Sequence, residues 1–173
     1  MRQIKYILKP QDVLILLKIV ALNEKSWFHH TLAEDLYMSQ SEISQSLTRS
    51  NYAGLLDVTK KKVNRIALKE FLIHGISYVF PQRPGPIVRG MLTAHSAEPL
   101  SAFINSNEKY VWPSAKGKDK GQAIEPLYTT VVEASLKDKK LYNLLTLVDA
   151  IRVGKTREKE IAKKELEKLI LNV

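Results

Sequence analysis

Apolar residues recur with helical spacing towards both ends of the chain and lose that period in the middle. The run from Val13 to Leu22 is apolar except at Lys18, and Pro10 and Asp12 precede it. Proline at a helix start with an acid in the first turn predicts a first core helix, with Trp27 and Phe28 closing its connection to the next element. Near the other end, Leu141, Leu144, Leu145, Val148 and Ile151 line one face of a helix that Gly154 stops. A last helix from about Arg157 places Ala162, Leu166, Leu169 and Ile170 on one side and alternating Arg, Lys and Glu on the other. The apolar faces of this terminal pair predict core packing or a dimer interface. Asp149, Arg152, Arg157 and Glu158 gather around the glycine break. Packing and surface charge explain that group better than a site for an effector or partner.

Between Thr31 and Leu56 two helix-start signals stand eight residues apart around one short turn. Thr31 with Glu34, and Ser39 with Glu42, have the S/T-x-x-E spacing in which hydroxyl and carboxylate satisfy orphan N–H groups reciprocally. Met38 and Ile43 sit where a hydrophobic staple would hold the second start. This arrangement predicts a helix-turn-helix, with a recognition helix at about residues 40–51. On that helix Ile43, Leu47 and Ala53 are expected to pack inward, and Gly54 to end it before Leu55 and Leu56. Gln40, Ser41, Ser44, Gln45, Thr48 and Arg49 fall on the opposite face, with Ser39 at its start. Arg pairs with guanine, Gln with adenine, and Ser or Thr with bases or phosphates, so this face has the vocabulary of a major-groove reader.

The segment LAEDLYMSQSEISQSL resembles the helix-turn-helix of bacterial transcriptional regulators. Ahead of it, LKPQDVLILLKIVALNEKSW resembles the lead-in helix of winged-helix regulators of the multiple-antibiotic-resistance-regulator (MarR) type. The likeness covers roughly the first seventy-five residues. It implies that Ala33 supplies close helix contact and that Ile43 and Leu47 pack the recognition helix. Tyr37 departs from it, since many members carry Gly there for a positive φ. A slightly wider turn is expected in consequence.

After the recognition helix, Leu55 to Thr59 reads as a short strand and Lys60, Lys61 and Lys62 as its turn, together forming the wing. Adjacent lysines on such a hairpin would reach phosphates and add salt-dependent affinity without sequence information. Arg65 completes the expected DNA-binding set. Asn64 is placed to cap the next helix, whose apolar residues are Ile66, Leu68, Phe71, Leu72 and Ile73, before Gly75 and Pro81 end the helical stretch.

From residue 77 the texture changes, because every proline except Pro10 lies between 81 and 126. Val79-Phe80-Pro81, Gly85, Arg89-Gly90 and Glu98-Pro99-Leu100 are echoed by Val111-Trp112-Pro113, Gly117, Lys120-Gly121 and Glu125-Pro126-Leu127. Each unit reads as strand, glycine turn, strand, so two hairpins forming one small sheet are expected. The chain is therefore expected to be α+β. A winged helix-turn-helix domain would occupy residues 1–76, and a turn-rich β module with C-terminal helices residues 77–173.

Composition narrows the function classes. The 173 residues are 45% hydrophobic, enough for a respectable core, and lack cysteine, which removes disulfides, thiolate metal sites and a thiol nucleophile. A cytoplasmic setting is expected, with no signal peptide, no membrane partner and no cofactor. The net charge of +9 favours a polyanionic partner and is shared by both halves. His29, His30, His74 and His95 form no metal-protease spacing, and no nucleophile elbow or phosphate loop occurs, so the chain is not expected to be an enzyme. The resulting expectation is a homodimeric, sequence-specific regulator bound to double-stranded DNA, a repressor by family habit. The alternative is an adaptor or antitoxin-like protein that binds a partner protein and uses its helix-turn-helix for autoregulation.

Overall fold

The computed structural model describes residues 6–173 as an α+β protein. Its N-terminal half runs α1 (Pro10–Leu22), α2 (His29–Leu36), α3 (Gln40–Tyr52), α4 (Arg65–His74) and the single turn α5 (Ile76–Val79). Three strands follow, β1 (Ile87–Leu92), β2 (Tyr110–Pro113) and β3 (Asp119–Ala123), and then α6 (Val131–Lys137), α7 (Lys139–Val153) and α8 (Thr156–Leu171). Among these residues no helix is long and apolar enough to cross a membrane.

Helix α1 is buried almost all round because α3 and α7 pack on it. Its one basic residue, Lys18, is buried too, 2.8 Å from Asp138 at the start of α7 and 3.0 Å from Asp35 on α2. The residue that interrupts the apolar run thus ties three helices together. Leu141, Leu144, Leu145, Val148 and Ile151 are all buried, and the apolar cluster continues from α1 to Ile170 without a break at residue 76. Buried residues from Val13 to Ile76 and from Ala94 to Ile170 belong to one apolar cluster. On α8, Ala162, Leu166 and Ile170 are buried within the chain while Leu169 is exposed, correcting its placement on the packed side. The terminal faces expected to pair two copies are mostly spent inside one.

Burial pushes the Asp138 carboxyl up, but the Lys18 ammonium, with the N–H of Leu141 among its other donors, outweighs this and holds it below the ordinary carboxylate value. A depressed folded-state pKa contributes stability at neutral pH that is lost as pH falls through that value. Asp138→Asn keeps a capping oxygen and removes the charge, so its stability should fall less steeply with acid below about pH 4. Melting curves across pH 2–6 check this, and parallel acid limbs for both proteins would contradict it.

The middle of the chain departs most from expectation. Val79 and Phe80 end a helical turn instead of opening a strand, and Glu98-Pro99-Leu100 leads into a 3-10 turn, so the sequence echo is no structural repeat. The three strands still form one small sheet. β1 pairs antiparallel with both β2 and β3, which pair parallel with each other, so the sheet closes on itself. Such tight closure brings backbones together at Gly90 and Gly117. A Cβ on Gly90 would collide with the Trp112 backbone and one on Gly117 with the Gly90 backbone.

Candidate nucleic-acid interface

The second start signal forms as its spacing predicts: Ser39 Oγ accepts the Glu42 N–H at 3.1 Å, and Glu42 Oε2 accepts the Ser39 N–H at 3.1 Å. Met38 and Ile43 are both buried beside this start. The first signal shifts by one turn. α2 begins at His29, and Thr31, three residues beyond the cap position, accepts the Phe28 N–H and donates to the Phe28 carbonyl. Thr31 is therefore not the cap. Phe28 itself is exposed, leaving Trp27 to fill the connection.

Between the helices, Tyr37 takes φ 54° and ψ 43°, with its N–H directed at the carbonyls of Ala33 and Glu34. The turn is thus not widened to accommodate a bulky residue. Tyr37 adopts the left-handed conformation itself, at a steric cost, and Lys137 Nζ from α6 lies 4.2 Å from its ring centre. At the far end of α3, Gly54 has φ 79° and the Leu55 N–H reaches back to Ser50, giving the stop expected there. Ala53 is exposed, since the helix has already turned away from the core.

Along α3 the buried residues are Ile43, Ser46, Leu47, Arg49 and Ser50. Ser39, Gln40, Ser41, Ser44 and Gln45 are exposed and Thr48 is half-buried, so one uncharged polar face is presented to solvent. Gln45 donates to Ser41 Oγ at 3.2 Å and Thr48 to the Ser44 carbonyl at 3.1 Å, bonds that a ligand can replace without leaving a buried group orphaned. Glu42 borders this face. Its carboxylate also accepts the hydroxyl of Tyr128 at 2.8 Å, and this bond, followed by the Ser39 N–H, holds it below the ordinary glutamate value. Tyr128 is absent from the sequence-derived set. Eighty-six residues separate it from Glu42, and no local pattern signals the pair.

Arg49 does not belong to the exposed face. It is only 8% exposed and forms a bidentate pair with Asp12, Nε to Oδ2 at 2.9 Å and Nη2 to Oδ1 at 2.7 Å. Arg65 is also engaged elsewhere, donating to the Ile170 carbonyl at 2.6 Å and to Asn23 at 3.2 Å, where it caps the end of α8. Both guanidiniums are held by partners within the chain.

The segment after α3 holds a single antiparallel bridge, Leu56 to Val63, in place of the strand expected over Leu55–Thr59. Asp57 takes over the organisation, because its Oδ1 accepts the N–H groups of Lys61 and Lys62 and its Oδ2 the Thr59 hydroxyl. The Thr59 hydroxyl, and after it the Lys62 N–H, lower the pKa of this carboxyl. Fixed by this turn, Lys60 reaches Thr48 on α3 at 3.1 Å, joining the lysine loop to the exposed face. Lys61 lies 4.3 Å from the Trp27 ring centre and Lys62 is exposed. Ser39, Gln40, Ser41, Ser44, Gln45 and Thr48 are therefore brought together with Lys60.

Among the described residues, no group of three or more His, Asp or Glu side chains is placed to hold a metal ion. No protein-family model matches the sequence, and it has no match among curated proteins or solved structures.

Proposed function

We propose that this chain is a sequence-specific DNA-binding transcriptional regulator of winged helix-turn-helix type. The observation that carries the reading is the exposed α3 face, uncharged and rich in Gln and Ser, joined at Thr48 to a loop of three lysines. In this reading Gln40, Ser44 and Gln45 contact base edges in the major groove, while Lys60, Lys61 and Lys62 hold the phosphates beside it. Asp57 fixes the lysine loop as a short wing. The buried Asp12–Arg49 pair and the Glu42–Tyr128 bond set the angle of α3 against the core. A homodimer supplies the second recognition helix, about 34 Å away along the duplex, because one helix reads too few bases for genomic selectivity. Repression is the mode that the MarR-like resemblance suggests.

Duplexes selected by the protein from a random pool provide the test. Gln40→Ala with Gln45→Ala is expected to weaken binding to the selected site by about 1–3 kcal/mol per lost base contact and binding to random duplex far less. Replacing Lys60, Lys61 and Lys62 with Ala should weaken both alike and flatten the dependence on salt. Equal losses on both duplexes for the glutamine variant would move these residues to phosphate contacts, and an unchanged salt slope for the lysine variant would remove the wing.

A further inference from the structure

The segment from residue 83 to residue 123 contains six basic residues, Arg83, Arg89, Lys109, Lys116, Lys118 and Lys120, and three acidic ones. All three carboxylates are engaged: Glu98 with Lys139 at 2.8 Å, Glu108 with Lys155 at 3.3 Å and Asp119 with Lys109 at 3.2 Å. The other five cations are exposed and form no ion pair among the described residues. Two of them stand directly opposite each other, Arg89 on β1 and Lys120 on β3. Like charges in that register repel, so the sheet carries an electrostatic cost that a bound anion would relieve.

The face they share also carries Ile87 and Gln122, the next directly opposed pair of the same ladder with outward side chains. Tyr110 and Trp112, the aromatic residues of β2, are buried, so the strands offer no ring on which unpaired bases could stack. Protein partners are gripped mainly through buried apolar or aromatic anchors, and Ile87 is the exposed large apolar side chain of this ladder. Long cations on a polar strand face match the phosphates of a duplex backbone instead.

We propose that the β1–β3 face is a second anion-binding surface, which takes the phosphate backbone of duplex DNA through Arg89 and Lys120. The identity of the polyanion rests on the DNA-binding reading above; the uncompensated charge does not. The surface adds affinity and no base selectivity.

The test uses the full chain and a random-sequence duplex across a salt series, with two variants. In Arg89→Gln with Lys120→Gln, the slope of log K against log salt should become shallower by about 1 to 2, from up to two phosphate contacts at about 0.9 each. Without DNA, this variant should melt no lower than the parent, since a repulsion has been removed. Arg89→Glu should pair with Lys120 across the strands, raise the melting temperature and weaken binding to a similar extent, since both variants remove two units of positive charge. An unchanged slope in both folded variants, with the lysine-loop variant still flattened, overturns the sheet surface and leaves the α3 reading intact. Loss of slope in the sheet variants with none in the lysine-loop variant supports the surface and removes the wing. A parent protein that does not bind duplex DNA overturns both.

Discussion

Arg49→Ala is expected to destabilise the protein by about 3–5 kcal/mol, the usual loss when one partner of a buried ion pair is removed and the other charge is left behind. Asp12 is fully buried at the start of α1, where it also accepts the Lys9 N–H at 2.8 Å. Without the guanidinium, one backbone donor remains to compensate a carboxylate shielded from water. For a chain of this size the loss lowers the melting temperature on the order of 10 °C. Replacing the pair together, Asp12→Asn with Arg49→Met, should recover much of it, because no charge is then stranded. On the proposed DNA-binding reading, binding by Arg49→Ala should follow the folded fraction on every sequence. Unchanged melting with a selective loss on the preferred duplex would return Arg49 to the recognition face, where the sequence alone places it.

That misplacement shows what a helical pattern can and cannot disclose. Ser39, Glu42 and Gly54 act within five residues of their partners, and the geometry that spacing implies is the geometry found. Ile43 and Leu47 mark the inward face correctly. The buried side of α3 is wider than its apolar residues, however, and takes in Ser46, Arg49 and Ser50. Small hydroxyl residues fit where helices approach closely, and Arg49 is accommodated because Asp12, thirty-seven residues away, supplies its counter-charge. Polarity alone assigns Arg49 to solvent, and Ser46 and Ser50 carry no signal that assigns them to either face. The charge of Arg65 misleads in the same way, since its acceptor is the Ile170 carbonyl at the other end of the chain.

The middle segment was legible in class and not in topology. Gly and Pro clusters announced turns, and Val111-Trp112-Pro113 is indeed strand. What the sequence could not reveal is that β2 and β3 pair parallel, each using β1 as a common antiparallel neighbour. The glycines needed for that closure have the sequence signature of turn formers, although Gly90 lies inside β1 and is required by close backbone contact. Equivalent spacing in the two halves of the echo therefore serves different ends. Pro81 follows a helical turn, whereas Pro113 closes a buried strand.

Trp112→Ala should cost about 3–5 kcal/mol, because it empties one of the largest fully buried sites in the core. The indole also carries a polar duty. Its Nε1 donates to Asp149 Oδ2 at 2.6 Å, the oxygen that also accepts the Thr93 hydroxyl at 2.8 Å, while Oδ1 accepts from Arg152 at 3.0 Å. Burial pushes the Asp149 carboxyl up, against the Arg152 charge and these donors. Arg152 in turn donates to the Phe80 carbonyl at 2.9 Å, so one buried chain of polar contacts links β2, α7 and the end of α5. Removing the indole opens a cavity and takes a donor from a carboxylate that water does not reach. Trp112→Phe separates the two effects, since it keeps most of the ring volume and forfeits the hydrogen bond, at about 1–3 kcal/mol. Denaturant unfolding of the three proteins measures both steps, and on the proposed DNA-binding reading, binding should decline only as the folded fraction declines. A Trp112→Ala protein that unfolds at the parent's midpoint would show that β2 does not anchor the sheet to α7, and that its burial of the indole is incidental to the stability of the fold.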